Sequence, residues 1–145
     1  MALTQAEYDY LMGQDKEFDD LSATIQLGPP PINWTRKVIS PATREQFLLD
    51  FHRGSIELSK FTVNKRYRQT IILIRYDNGG RHTNPDGDSF AGPHVHLYRE
   101  GYDDKFAFPV STIGVVASDD MAAVLSKVLV YCNIKNIPVI EPPLF

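Results

Sequence analysis

At 145 residues, with 43% hydrophobic and 23% charged residues, the chain fits one globular domain that buries an ordinary core. Its one cysteine, Cys132, excludes an internal disulfide and suits a reducing compartment. No apolar run approaches the roughly 18 residues that cross a bilayer, and no basic-then-apolar leader opens the chain, so the sequence predicts a cytoplasmic protein without a membrane partner.

The net charge of −3 is unevenly spread. Residues 1–35 carry six acids against Lys16, residues 36–81 ten bases against four acids, and residues 82–145 eight acids against four bases. The basic middle could attract phosphate, or could simply face the acidic ends of the same molecule.

In chain order, residues 4–20 read as a helix. Thr4 and Glu7 form a capping box, Leu3 and Tyr8 suit a hydrophobic staple, and Leu11, Met12 and Phe18 continue the stripe. Thr24 to Leu27 is a short strand candidate, and Pro29-Pro30-Pro31 a rigid connection. Trp34–Ile39 and Gln46–His52 read as strands, and Ile56–Lys60 as another. Thr62–Arg68 is polar and basic, an irregular link. Gln69–Asp77, apolar on both faces, belongs in the middle of a sheet. Residues 81–93, rich in Gly, Pro and Asp, form a long loop. Pro93–Arg99 is the next strand, with His94, His96 and Tyr98 on one face and Val95 and Leu97 on the other. Lys105–Val110 returns as its hairpin partner. A second helix spans 118–132, capped by Ser118 or Asp119, with Met121, Val124, Leu125, Val128, Leu129 and Cys132 as its core stripe. The tail from Ile137 to Phe145 is extended. The fold class is therefore α+β: a bent antiparallel sheet of about five or six strands flanked by an N-terminal and a C-terminal helix.

Chemistry concentrates between Arg66 and Phe108, where three readings compete. In the first, His94 and His96 bind a metal ion, with His82 or Asp86 as a third ligand. The spacing His-x-His-x3-Glu, ending at Glu100, matches part of the first cupin metal motif. Its flanking glycines are replaced by Asp88 and Ala107, and the second cupin motif is missing. In the second reading, the chain cleaves RNA without a metal or any other cofactor. His82, His94 and His96 supply acid and base, Tyr98 donates a proton or stacks on a base, and Arg75 holds the phosphate. Arg66, Arg68, Arg81, Asn84, Asp86, Glu100 and Tyr102 would then line the binding surface. In the third, the histidines merely hydrogen-bond carbonyls and the polar loop is a turn with its own contacts.

The series I-I-L-I-R-Y-D-N-G-G-R-H-T-N-P-D-G and G-P-H-V-H-L-Y-R-E-G-Y resembles an uncharacterised family of short bacterial and prophage proteins. A looser similarity is to TumE-like toxins of toxin–antitoxin pairs, through Arg75-Tyr76-Asp77-Asn78, His82 and the closing His94-Val95-His96. The closing pair here is H-x-H where those toxins carry H-x-x-H. This second resemblance implies toxicity and an RNA target. The expectation is thus a toxin-like or mobile-element protein acting on RNA, with RNA or an antitoxin as partner. The alternatives are a phage protein that inhibits a host defence complex, and a metal-binding protein using the HxH strand.

Overall fold

The computed structural model describes residues 2–57 and 59–142. Two helices, α1 (Gln5–Gly13) and α2 (Met121–Tyr131), accompany strands β1 (Glu17–Phe18), β2 (Ile25–Gln26), β3 (Ile32–Ile39), β4 (Gln46–Arg53), β5 (Phe61–Tyr67), β6 (Ile71–Asp77), β7 (Arg81–Thr83), β8 (Ser89–Ala91), β9 (His94–Leu97), β10 (Ala107–Phe108) and β11 (Ile140–Glu141). Seven strands form one antiparallel sheet in the order β1-β3-β4-β5-β6-β9-β10, more than the five or six expected. The fold is α+β. No helix among the described residues is long and apolar enough to cross a membrane.

The sheet has two unlike faces. Phe47, Leu49 and Phe51 on β4, and Phe61, Val63 and Tyr67 on β5, point into one hydrophobic cluster with Tyr8 and Leu11 of α1 and Val124, Leu125, Val128 and Leu129 of α2. An aromatic row crosses four strands on this side, Trp34–Phe51–Phe61–Tyr76, with ring centroids 5.5, 5.8 and 5.5 Å apart. Residues directly opposed in an antiparallel ladder share a face. The opposite face therefore carries one row of Thr35, Asp50, Asn64, Arg75 and His96 and a second of Asn33, His52, Thr62, Asp77 and His94.

Several sequence expectations are corrected. The capping box of Thr4 and Glu7 forms, but α1 ends at Gly13, not at residue 20. Lys16 turns back and donates to the carbonyls of Met12 and Gln14, ending the helix, and Phe18 is buried as part of β1 against β3. Residues 55–57 bend instead of forming a strand, and Leu58 lies outside the described residues. The supposed irregular link 62–68 is β5, with a bulge between Lys65 and Arg66. The expected loop 81–93 holds the β7–β8 hairpin. Asp120, not Ser118 or Asp119, caps α2, while Asp119 accepts from the Val116 amide and pairs with Lys127. The tail pairs with β2 through β11, in parallel, and residues 143–145 lie outside the described residues.

One core position is costly. Lys65 is fully buried, its amine 4.8 Å from the centre of the Phe47 ring and without a hydrogen bond. Burial pushes that amine down. Lys16, equally buried, donates to the carbonyls of Met12, Gln14 and Cys132 and so ties α1 to the end of α2. Burial, with Lys65 beside it, pushes the Lys16 amine down to about 7. Between that value and the ordinary lysine value the unfolded chain holds more protons than the folded one, so stability rises with pH above neutrality. Lys65→Met should therefore stabilise the fold by about 1–3 kcal/mol, the cost of an unpaired buried polar group. Denaturant melts of both proteins at pH 7 and pH 9 check this. The wild type should gain more than the variant on moving to pH 9.

Candidate functional site

Asp77 ends β6 and His94 begins β9, and the two stand directly opposite each other. Period-2 alternation then places His96 beside them and Arg75 opposite His96. His94 Nδ1 lies 2.8 Å from the Gly92 carbonyl, and His96 Nδ1 lies 2.8 Å from the Asp104 carbonyl. A carbonyl only accepts, so both Nδ1 atoms carry the proton. Both Nε2 atoms face the same carboxylate oxygen, and each offers a lone pair when its ring is neutral. Asp77 Oδ2 is 3.6 Å from His94 Nε2 and 3.3 Å from His96 Nε2.

Arg75 completes the cluster. Its Nε donates to Asp77 Oδ2 at 3.2 Å, its Nη1 to Asp104 at 2.6 Å, and its Nη2 reaches His96 Nε2 at 3.2 Å. Thr62 donates to the other Asp77 oxygen at 3.3 Å. Burial pushes the Asp77 carboxyl up, but donation from His96 in its protonated form and the charge and hydrogen bond of Arg75 outweigh it and hold the group below its ordinary range. Both imidazoles are buried, whereas the side chains of Arg75, Asp77 and Asp104 are about a quarter to a third exposed. The cluster therefore opens to solvent on its carboxylate and guanidinium side.

The β7–β8 hairpin covers the other side. His82 sits with its ring 4.5 Å from that of His96 and 5.9 Å from that of His94, centre to centre. Its Nε2 donates to the Lys105 carbonyl, which leaves Nδ1 as an acceptor. Asn84 is buried and bonds both the amide and the carbonyl of Ala107, as a strand neighbour would. These two residues seat the hairpin against β10.

The structure thus brings together His82, His94, His96 and Arg75, with Asn84 supporting them. It does not bring Tyr98 there. β9 ends at Leu97, so the alternation stops one residue short of Tyr98. The Tyr98 hydroxyl accepts from the Leu3 amide and donates to the Leu3 carbonyl, and its ring stacks on Tyr8. Glu100 accepts from the Gln5 amide, and Tyr102 packs edge-on against Phe106. Asp86 accepts from the Asp88 amide in the hairpin turn, and Arg81 is exposed on β7. Arg66 pairs with Asp50, and Arg68 lies over the Tyr67 ring.

Asp77 and Asp104 are absent from the candidates read in the sequence. Asp77 was legible, because it lies two residues beyond Arg75 on the same strand face. Asp104 is reached only through the turn after β9, which no periodicity predicts.

A sequence profile of a family of unknown function (DUF6978) matches residues 3–134. No curated protein and no solved structure matches the chain.

Asp77→Asn keeps the shape of the side chain and removes the charge that both histidines and Arg75 face. Its folded pKa lies below the unfolded one, so the carboxylate stabilises the fold above the ordinary carboxylate range, and this is lost as pH falls through the depressed value. The variant should lose about 1–3 kcal/mol at neutral pH. It should also show a flatter loss of stability on acidification, read from denaturant melts between pH 3 and pH 7.

Proposed function

We propose, for a chain that belongs to this family of unknown function, a role read from its site alone: Asp77, His94 and His96 hold a divalent metal ion. The carrying observation is that two imidazoles, each with its Nδ1 proton tied to a backbone carbonyl, aim their Nε2 atoms at one carboxylate oxygen. Such carbonyl anchoring is how protein metal sites fix the tautomer and orientation of their histidines.

The distances suit an ion. Ligand atoms about 2.0–2.2 Å from a shared tetrahedral metal lie about 3.4 Å from one another. The three ligand atoms here are all within 4.8 Å of each other, and two of the separations are 3.3 and 3.6 Å. A mixed nitrogen and oxygen set fits Zn2+, Fe2+ or Mn2+. Three protein ligands leave coordination positions open, the arrangement of catalytic and not of structural sites. A metal held there supplies a Lewis acid and an activated water.

Arg75 Nη2 sits where an entering ion would meet His96. Its bond to Asp104 at 2.6 Å would keep the guanidinium at the edge of the site if Nη2 gave way to an ion. From there it faces any anionic group bound to the metal. His82, with Nδ1 free, adds a base at the edge of the cluster.

The test is to strip the protein with a chelator, reload it with Zn2+ or Mn2+, and measure bound metal and melting. One equivalent per chain is expected, with stabilisation of about 2.7 kcal/mol at a hundredfold excess over Kd. The His94→Ala/His96→Ala variant should bind none. Equal metal content in variant and wild type, or none in either, sinks the metal reading.

A second reading is favoured by the guanidinium already wedged between Asp77 and His96. In it the site needs no metal. Arg75 holds a phosphodiester, and the histidines act as base and acid in RNA cleavage, as a toxin-like protein would require. Incubation with RNA in excess EDTA separates the two. Cleavage that survives EDTA and vanishes in the double-histidine variant supports the metal-free mechanism. Cleavage abolished by EDTA and restored by metal supports the first.

A further inference from the structure

A second cleft lies at the far end of the same sheet. The β3–β4 and β5–β6 turns stand side by side because β4 and β5 pair, with Phe47 opposite Tyr67 and Leu48 opposite Arg66. Between them is a cavity of about 530 Å3, whose lining includes Phe47, Leu48 and Tyr67. Lys37, Arg44, Arg66 and Arg68 surround it, against the single acid Glu45.

Of these four cations only Arg66 is in an ion pair among the described residues, although Arg68 also acts on Glu7. Arg66 is held by both oxygens of Asp50, at 2.6 and 2.9 Å, and donates to the Gln69 carbonyl. Glu45 is occupied by the Tyr67 hydroxyl at 2.8 Å. Lys37, Arg44 and Arg68 are exposed, and among the described residues none of the three enters an ion pair. Arg44, with φ 65°, and Arg68 and Gln69, with φ 51° and 67°, adopt left-handed backbone at the turn tips, and this sets both arginines on the rim. Three like charges converging on one hollow repel one another unless an anion joins them.

We propose that this cleft binds phosphate groups, presented by a single-stranded nucleic acid or by a free nucleotide. Guanidinium forks match phosphate oxygens in pairs, and Lys37 adds a point charge. The position favours a strand of linked phosphates. Lys37 and Arg66 share the sheet face that bears Arg75, Asp77 and the histidines. From Arg66 to Thr62, the neighbour of Asp77, the path along β5 is about 13 Å at 3.3 Å per residue. A bound strand that continues across this face brings a phosphodiester to Arg75. The link to the metal centre rests on the preceding reading, whereas phosphate binding does not.

The experiment is fluorescence anisotropy with labelled single-stranded RNA and with DNA of the same sequence, plus AMP as competitor. The wild type should bind, with log affinity falling against log salt at a slope of roughly −2, three contacts at about −0.7 each. That is about a 20-fold loss between 50 and 200 mM salt. Lys37→Glu/Arg44→Glu/Arg68→Glu should weaken binding at least tenfold, with an unchanged circular dichroism spectrum. The milder Arg44→Gln/Arg68→Gln serves if the triple variant does not fold. His94→Ala/His96→Ala should still bind, which separates failure of the metal reading from failure of this one. Competition by AMP at levels near the protein concentration would assign the cleft to a free nucleotide. Wild-type protein that binds none of the three probes, or cleft variants that bind as well as wild type, would overturn the proposal.

Discussion

The site depends on one carboxylate. Asp77 is the common neighbour of Arg75, Thr62, His94 and His96, and among the described residues no other acid pairs with both imidazoles. Its negative charge survives partial burial because the Arg75 guanidinium donates to it and faces it with a positive charge. The histidines, in turn, tolerate full burial because they need not be charged. Each ties its Nδ1 to a main-chain carbonyl and turns its Nε2 toward the centre.

The sheet separates what holds the chain together from what the chain can do. On one face, aromatic and aliphatic side chains bind both helices into a single cluster. On the other, polar side chains contact their neighbours from strand to strand: Thr35 and Asn64 to Asp50, Arg66 to Asp50, Thr62 to Asp77, Arg75 to His96. A helix over this second face would have to desolvate all of them. The chain instead places a small hairpin at one end, fixed by Asn84 and His82.

How much of this the sequence carried depends on whether burial followed polarity. β4, β9 and α2 were legible because their apolar residues recur at the period of the element, the capping box because Thr4 and Glu7 stand three apart, and β6 because it is a β-branched run apolar on both faces. β5 was not, because its buried parity includes Lys65, and a lysine among Phe61, Val63 and Tyr67 hides the alternation. Ile56 and Leu58 suggested a strand next door, yet Ile56 is almost fully exposed. The hairpin of β7 and β8 was read as loop because its Gly, Pro and Asp residues serve the turn, and its hold on the body runs through Asn84 and His82, which no apolar periodicity marks. In the site, the shared face of His94 and His96 followed from spacing alone. Their common partner is on another strand, and strand pairing is not written in local periodicity.

Asp77 and His94 are neighbours in space, and the chain between them is little more than the β7–β8 hairpin. Bringing the two together closes a short loop, for which the entropy lost is small. Their pairing is a low-contact-order event that can form before the distant strands have found their places. Whatever binds the cluster therefore staples one local excursion of the chain, and the hairpin rim is where its departure would be felt as increased amide exchange. The same bracketing lets the hairpin vary in length or sequence while the residues at its two ends stay in register.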